Sequence, residues 1–294
     1  MSPIRHRVGA NGLDHSVLEW EPNGARAAST PAVAVLLHGY MDAAGTWDLV
    51  APSLASLGMR VLAPDMRGFG DAPRVPRGAY YHFADYVADL ADLVDAVAPE
   101  PFFLVGHSMG GTIATLFGGA FPERVAKLAL LEGLGPPDHP LEAAPDRMRR
   151  WIEDVRGARA RPDAKAIASL HEAFRRLAVN HPGVDAQVLR SRLVHLVRDV
   201  GDGRVAWRFD PLHRTVSPTP FHVRSFIAFA KRITCPTLYV GGGPKGFHPE
   251  DEDERLAAFA HLSRRELADA GHMMHWTQPD ALSSLLCAFV NANC

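Results

Sequence analysis

The residue pattern predicts an α/β protein: an eight-stranded, mostly parallel sheet flanked by helices, with a helical cap inserted into the series. Three observations carry this reading. Short apolar runs alternate with helix-period stretches from residue 33 to residue 131, the order of a βαβ series. The alternation stops at Gly133-Leu134-Gly135-Pro136-Pro137 and resumes at Cys235-Pro236-Thr237. The interval, about a hundred residues, is too long for a crossover and reads mostly as helix.

The elements follow in order. Residues 4–22 form two alternating segments around Asn11-Gly12, a dipeptide suited to the positive φ angles of a type I′ hairpin. Polar and small residues fill 23–31. Strand 33–37, a helix near 46–57, strand 59–63, helix 83–97, strand 102–105, helix 109–121 and strand 125–131 then make the βαβ series, which requires helices on both faces. In the interval, segments 146–160, 163–180 and 185–200 carry apolar residues at helical spacing, as at Val188, Leu189, Leu193, Leu196 and Val197. The sheet resumes with a helix near 220–231, strand 236–240, helix 250–261, strand 264–268 and a final helix 279–291. The expected division is a core of 1–134 and 220–294 and a cap of 135–219.

Composition narrows the partners. A chain of 294 residues with 47% apolar content buries a full core, and one domain with an insertion suits the length better than two domains. A net charge of −2, with no basic cluster interleaved with aromatics, argues against nucleic acid. No apolar h-region opens the chain and no run approaches the roughly 20 residues of a membrane span, so a cytoplasmic protein is expected. Cys235, Cys287 and Cys294 are odd in number and widely spaced, which reads as reduced thiols without a metal role. The partner expected is a small-molecule substrate, with no cofactor and no metal, for a monomer or homodimer.

The densest chemistry lies at residues 102–111, Phe-Phe-Leu-Val-Gly-His-Ser-Met-Gly-Gly, where an apolar strand runs into Gly-x-Ser-x-Gly and then into a helix. Gly106 and Gly110 leave room for a tight strand-to-helix turn that holds the Ser108 hydroxyl strained and exposed above the sheet. With this elbow the chain resembles the α/β-hydrolase superfamily, and the likeness runs from strand 33–37 to the terminal helix. The resemblance implies that fold and a nucleophile–base–acid scheme, and leaves the substrate open.

What the resemblance implies of each residue is specific. Ser108 is the nucleophile. Strand 33–37 ends in His38-Gly39-Tyr40, similar to the family's oxyanion loop, so the backbone N–H groups of Tyr40 and Met109 would form the hole. His38 reads as a polar residue that fixes this loop by hydrogen bonding. Most of the fifteen histidines read as surface residues. Gly271-His272-Met273-Met274-His275, followed by Pro279 and a helix, is similar to the family's closing motif and makes His272 the base. His275 reads as a neighbour packing the loop against Trp276.

The acid departs from the common pattern. Most relatives carry an Asp a few residues after the strand at 236–240, where this chain has Gly241-Gly-Gly-Pro-Lys-Gly-Phe-His-Pro. Strand 125–131 instead runs into Glu132, the placement found in the haloalkane-dehalogenase-like subfamily, and Glu132 is the leading candidate. Asp251 and then Asp253 follow, although 249–254 also reads as the acidic first turn of a helix.

Other motifs carry less. Asp65-Met-Arg-Gly-Phe-Gly-Asp71 resembles a family turn and shapes the chain more than it touches substrate. Gly241–Gly243 lacks the Gly-Lys-Ser/Thr order of a phosphate loop. Arg147, Arg149, Arg150, Arg156, Arg159 and Arg161 alternate with Glu153 and Asp154, as on a solvated helix face. Trp151, Trp207, Phe174 and Phe221 either line a pocket or pack the cap. The resulting expectation is a carboxylesterase-like serine hydrolase acting on an ester of a small to medium apolar substrate through an acyl-enzyme at Ser108. Two alternatives stand beside it: a carbon–carbon bond hydrolase of the same fold, and a hydrolase-fold binding protein with little turnover. Dehalogenase and epoxide-hydrolase chemistry is disfavoured because those relatives use an Asp at the elbow.

Overall fold

The computed structural model describes residues 2–160 and 166–292. Hairpin strands β1 (Ile4–Ala10) and β2 (Leu13–Trp20) meet at Asn11 and Gly12, both with positive φ. β3 (Val33–Leu37), α1 (Ala51–Ala55), β4 (Arg60–Pro64), α2 (Phe83–Val97), β5 (Phe102–His107), α3 (Met109–Ala120) and β6 (Val125–Leu131) complete the first series. α4 (Ala144–Arg159), α5 (Leu170–Asn180), α6 (Ala186–Leu196), β7 (Val197–Asp199) and β8 (Val205–Trp207) lie in the insertion. α7 (Val223–Ala230), β9 (Thr237–Gly241), α8 (Glu252–Leu256), β10 (Leu262–Glu266), α9 (Met274–Thr277) and α10 (Pro279–Asn291) close the chain.

The eight-stranded sheet has the order β1-β2-β4-β3-β5-β6-β9-β10. β1 and β2 pair antiparallel and β2 joins β4 antiparallel; every other neighbour is parallel. The central strands are continuous apolar runs because both faces are covered. Alternation sorts their residues: Val35, Leu37, Leu104 and Leu128 join the core beneath α2, α3 and α7, while Leu36, Phe103, Val105 and Ala129 join the one beneath α1 and α10. Parallel alignment brings the C-terminal ends of β3, β5, β6 and β9 to one edge of the sheet.

Several boundaries differ from the sequence-based expectation. The helix near 46–57 is a 3₁₀ helix over Ala44–Leu49 followed by the short α1, because Pro52 has no N–H and its ring crowds the carbonyl four residues back. The helix expected over 250–261 contracts to α8, where Ala258 and Phe259 turn back on Arg255 and Leu256 in three-residue steps that tighten and end it. The strand expected at 264–268 lies two residues earlier, set by the register Leu262↔Thr237 to Glu266↔Gly241. Helix 185–200 stops at Leu196, after which β7 pairs with β8 around Gly201-Asp202-Gly203, all three at positive φ. Of helix 163–180, positions 163–165 lie outside the described residues, as do Arg161 and Cys294; α5 begins after Ser169, whose side chain caps Glu172 N–H. Cys235 and Cys287 are free thiols. No helix among the described residues is long and apolar enough to cross a membrane.

The insertion carries its own apolar cluster, which takes in Ile167, Leu177, Leu189 and Leu193 and closes on Met273 and Trp276, the residues after His272. Arg192 and His195 on α6 also meet Asp48 of the core. The inserted segment therefore grips the loop that carries His272.

Candidate active site

The elbow forms as its glycines dictate. Ser108 has φ 51° and ψ −115°, a conformation that costs energy for a residue with a Cβ. The turn closes because Gly106 and Gly110 are in near contact: a Cβ on Gly106 would lie 2.4 Å from the Gly110 carbonyl oxygen. The hydroxyl of Ser108 stands at the N-terminus of α3 and donates to His272 Nε2 at 3.0 Å. His272 Nδ1–H in turn donates to Glu132 Oε2 at 2.6 Å.

Glu132 also has positive φ, 47°, and its carboxylate is fully buried. From the end of β6 the carboxylate reaches the loop after β9, where the common acid is missing. There Gly242 N–H donates to Oε1 at 2.5 Å and Phe247 N–H donates to Oε2 at 2.7 Å. Glycine is required on the facing wall, since a Cβ on Gly246 would sit 1.9 Å from Oε1. The loop that lacks a carboxylate is built to receive one. Asp251 and Asp253 are engaged elsewhere: Asp251 accepts from the buried Arg255, and Asp253 meets Arg264 on the surface. Arg255 also donates to the carbonyls of Leu134, Gly135 and Pro136, which holds the chain as it leaves Glu132.

Tyr40 and Met109 line the same pocket as Ser108 and His272. Met109 is the first residue of α3, so its N–H has no acceptor within the helix. The Tyr40 hydroxyl donates to the His213 carbonyl, and burial raises its pKa to about 12. His38 is buried and holds the loop as expected: Nδ1–H donates to Gly39 O at 2.8 Å and Nε2 accepts from Met66 N–H at 3.1 Å. Asp65 shapes its turn by accepting from Ala44 and Asp71 N–H groups.

Ten of the fifteen histidines keep some exposure, as expected of most of them, while His15, His38, His107, His213 and His275 are buried. His107, inside the elbow, donates Nε2–H to the His272 carbonyl at 2.8 Å; burial and the neighbouring histidines hold its pKa well below the usual imidazole value. His275 packs against Trp276 and Trp47 and donates to Asp42 Oδ2 at 3.0 Å. Ligand-type atoms of Asp42, His107 and His275 gather within 4.8 Å, the one such cluster among the described residues, and Asp42 and His275 already satisfy each other.

The pocket has a volume of about 470 Å³, within the range of small-molecule sites. Its walls are aromatic: Tyr80, Tyr81, Tyr86, Phe83 and Phe247 face it together with His213. His213 lies between Phe69 and Tyr81 at ring distances of 3.9 and 4.0 Å, and burial lowers its pKa to about 3, so it acts as a neutral wall. The run Tyr80-Tyr81-His82-Phe83 was a legible signal for this wall; nothing local marked His213. Trp151 packs on Tyr80 and Trp207 on Phe209, away from the pocket.

A parallel sheet whose strand ends converge on an elbow serine, a histidine and a buried carboxylate defines the class of hydrolytic α/β enzymes. The chain belongs to the alpha/beta hydrolase fold family, whose model matches residues 33–279. It is 27% identical over 289 residues, 92% of this chain and 83% of the relative, to a serine hydrolase-like protein of Danio rerio. A serine hydrolase-like protein of Dictyostelium discoideum is 26% identical over 238 residues, 79% of this chain, and the match spans 64% of that relative's length. A hypothetical protein of Pseudomonas aeruginosa PAO1 superposes with a TM-score of 0.85 at 24% identity, covering 99% of this chain and all of that one, a likeness of fold.

Proposed function

We propose that the protein is a serine hydrolase that cleaves an ester of an apolar substrate through an acyl-enzyme at Ser108. The observation that carries this reading is the unbroken line Ser108 Oγ, His272 Nε2, His272 Nδ1 and Glu132 Oε2, with steps of 3.0 and 2.6 Å at the mouth of an aromatic pocket. Ser108 Oγ attacks the ester carbonyl while its proton passes to His272 Nε2. The oxyanion is held by the N–H groups of Tyr40 and Met109. His272 returns the proton to the leaving alcohol, and the acyl–Ser108 bond remains. Water then gives a proton to His272, its oxygen attacks the acyl carbon, and the acid departs as Ser108 regains its hydrogen.

Glu132 serves by orienting the imidazole and stabilising its charged form. The insertion 135–219 acts as a cap on the core of 1–134 and 220–294, supplying His213, Thr215 and Ser217 to the pocket. The aromatic lining favours an apolar acyl group over a charged one. The test is the intact mass of wild type and Ser108→Ala after a fluorophosphonate, with p-nitrophenyl acetate turnover in parallel. One adduct and turnover, both lost with Ser108, are expected. No adduct on the folded wild type would overturn the reading.

A further inference from the structure

A second, largely apolar cavity of about 820 Å³ lies between α2, α3 and α7, and His82, Phe83, Pro136 and Ser217 line both spaces. One face of α3 floors the two in succession: Met109 and Thr112 lie under the pocket, Leu116 and Ala120 under the groove. From Met109 to Ala120 that floor runs about 16 Å along the helix.

The walls of the groove are largely apolar, and part of that surface stays exposed. α2 buries Tyr86, Leu90, Leu93 and Val94 against the sheet. It turns a different stripe to the groove, Ala84, Val87, Ala88 and Ala91, of which Ala84 and Ala88 are exposed. The opposite wall is Phe229 of α7 and Phe221 just before it, and Phe83, which lines both spaces, meets Phe221 at a ring distance of 6.0 Å. Small residues on one side and aromatic faces on the other bound the groove. An exposed apolar surface of this kind on a soluble fold marks a binding surface.

We propose that this groove is a tail subsite that receives the distal part of a long unbranched acyl chain whose carbonyl sits at Ser108. The occupant follows from adjacency: the groove shares four lining residues and the α3 floor with the nucleophile's own pocket, so a chain that extends from Ser108 along α3 reaches the groove. The proposal rests on the serine hydrolase reading and narrows its substrate class from apolar esters to long-chain acyl esters. The ester bond broken and the acid and alcohol released are those of the reaction above.

The experiment compares p-nitrophenyl acetate, butyrate and laurate as substrates for wild type and Ala88→Trp, with Ala84→Trp as the second variant should the first not fold. Both positions lie on the groove wall and outside the catalytic pocket. Wild-type kcat/KM is expected to rise from acetate to laurate. The Trp variants should lose roughly tenfold or more on laurate while acetate changes less than about twofold. A wild type that does not favour laurate, an equal loss on all three esters, or a change of oligomeric state in the Trp variants would overturn the proposal. The last result would make the groove a contact between copies. If wild type neither turns over an ester nor takes a fluorophosphonate, the hydrolase reading fails by itself. Calorimetric binding of laurate then decides the groove: binding lost in Ala88→Trp supports it, and no binding to wild type overturns it.

Discussion

Two histidines three residues apart, His272 just before α9 and His275 within it, each pair with a carboxylate, and only one is placed for chemistry. His272 binds Glu132 at 2.6 Å and His275 binds Asp42 at 3.0 Å, so each imidazole has an acidic partner. Their second nitrogens differ. His272 is 34% exposed toward the pocket and its free nitrogen meets Ser108, whereas His275 is 0% exposed and its Nδ1 has no partner among the described residues. A carboxylate–imidazole pair is common structural material. Access of the far nitrogen to a hydroxyl and to substrate is what separates a base from a brace.

The strongest way to break the comparison is to neutralise the acid of each pair. Glu132→Gln is expected to lower kcat by about 10²–10⁴ while leaving the fluorophosphonate site intact, measured on p-nitrophenyl acetate. Asp42→Asn should change kcat less than about threefold. It should cost stability instead, on the order of 1–3 kcal/mol by urea unfolding, because the buried His275 loses a charged acceptor. Equal losses of activity in the two variants would erase the distinction. A third substitution sharpens the role of the receiving loop: Gly246→Ala forces a Cβ onto Glu132 Oε1, and kcat should fall at least about tenfold at unchanged KM.

Burial of the neutral histidines predicts the pH dependence of stability. His213 keeps a pKa near about 3 in the fold and regains about 6.5 when unfolded, so the unfolded chain binds the extra proton between those values. Stability should therefore fall as pH drops from about 6.5 toward 3, with His107 and His275 adding in the same direction. His213→Phe should flatten that slope in thermal melts between pH 4 and 7; an unchanged slope would remove His213 from the account. The smallest effect expected is Asp251→Asn, with kcat within about twofold of wild type, since its partner is Arg255.

Much of this molecule was legible in the chain itself. The strand-to-helix elbow at Ser108 is a local pattern, because glycine spacing and flanking apolar runs act within one turn of backbone. The parallel sheet was legible for a similar reason, since strands buried on both faces become unbroken apolar runs. Helix ends and edge strands were less so: α1, α8 and β10 are set by a proline, by tightened turns and by a neighbour's register. His213 gave no local signal because neutral imidazole is amphipathic, and no sequence period distinguishes a histidine between two rings from a histidine in water.

By itself the sequence determined the fold family, the elbow serine and the glycine–histidine loop, all signals carried by contiguous residues. The tertiary structure decided which carboxylate reaches His272, because Glu132, Asp251 and Asp253 differ in distance across the sheet edge and not in local character. It also decided that an apolar groove between α2 and α7 borders the pocket of Ser108. The shape of that space depends on how three helices pack, and packing is a property of the surfaces brought together rather than of any one segment.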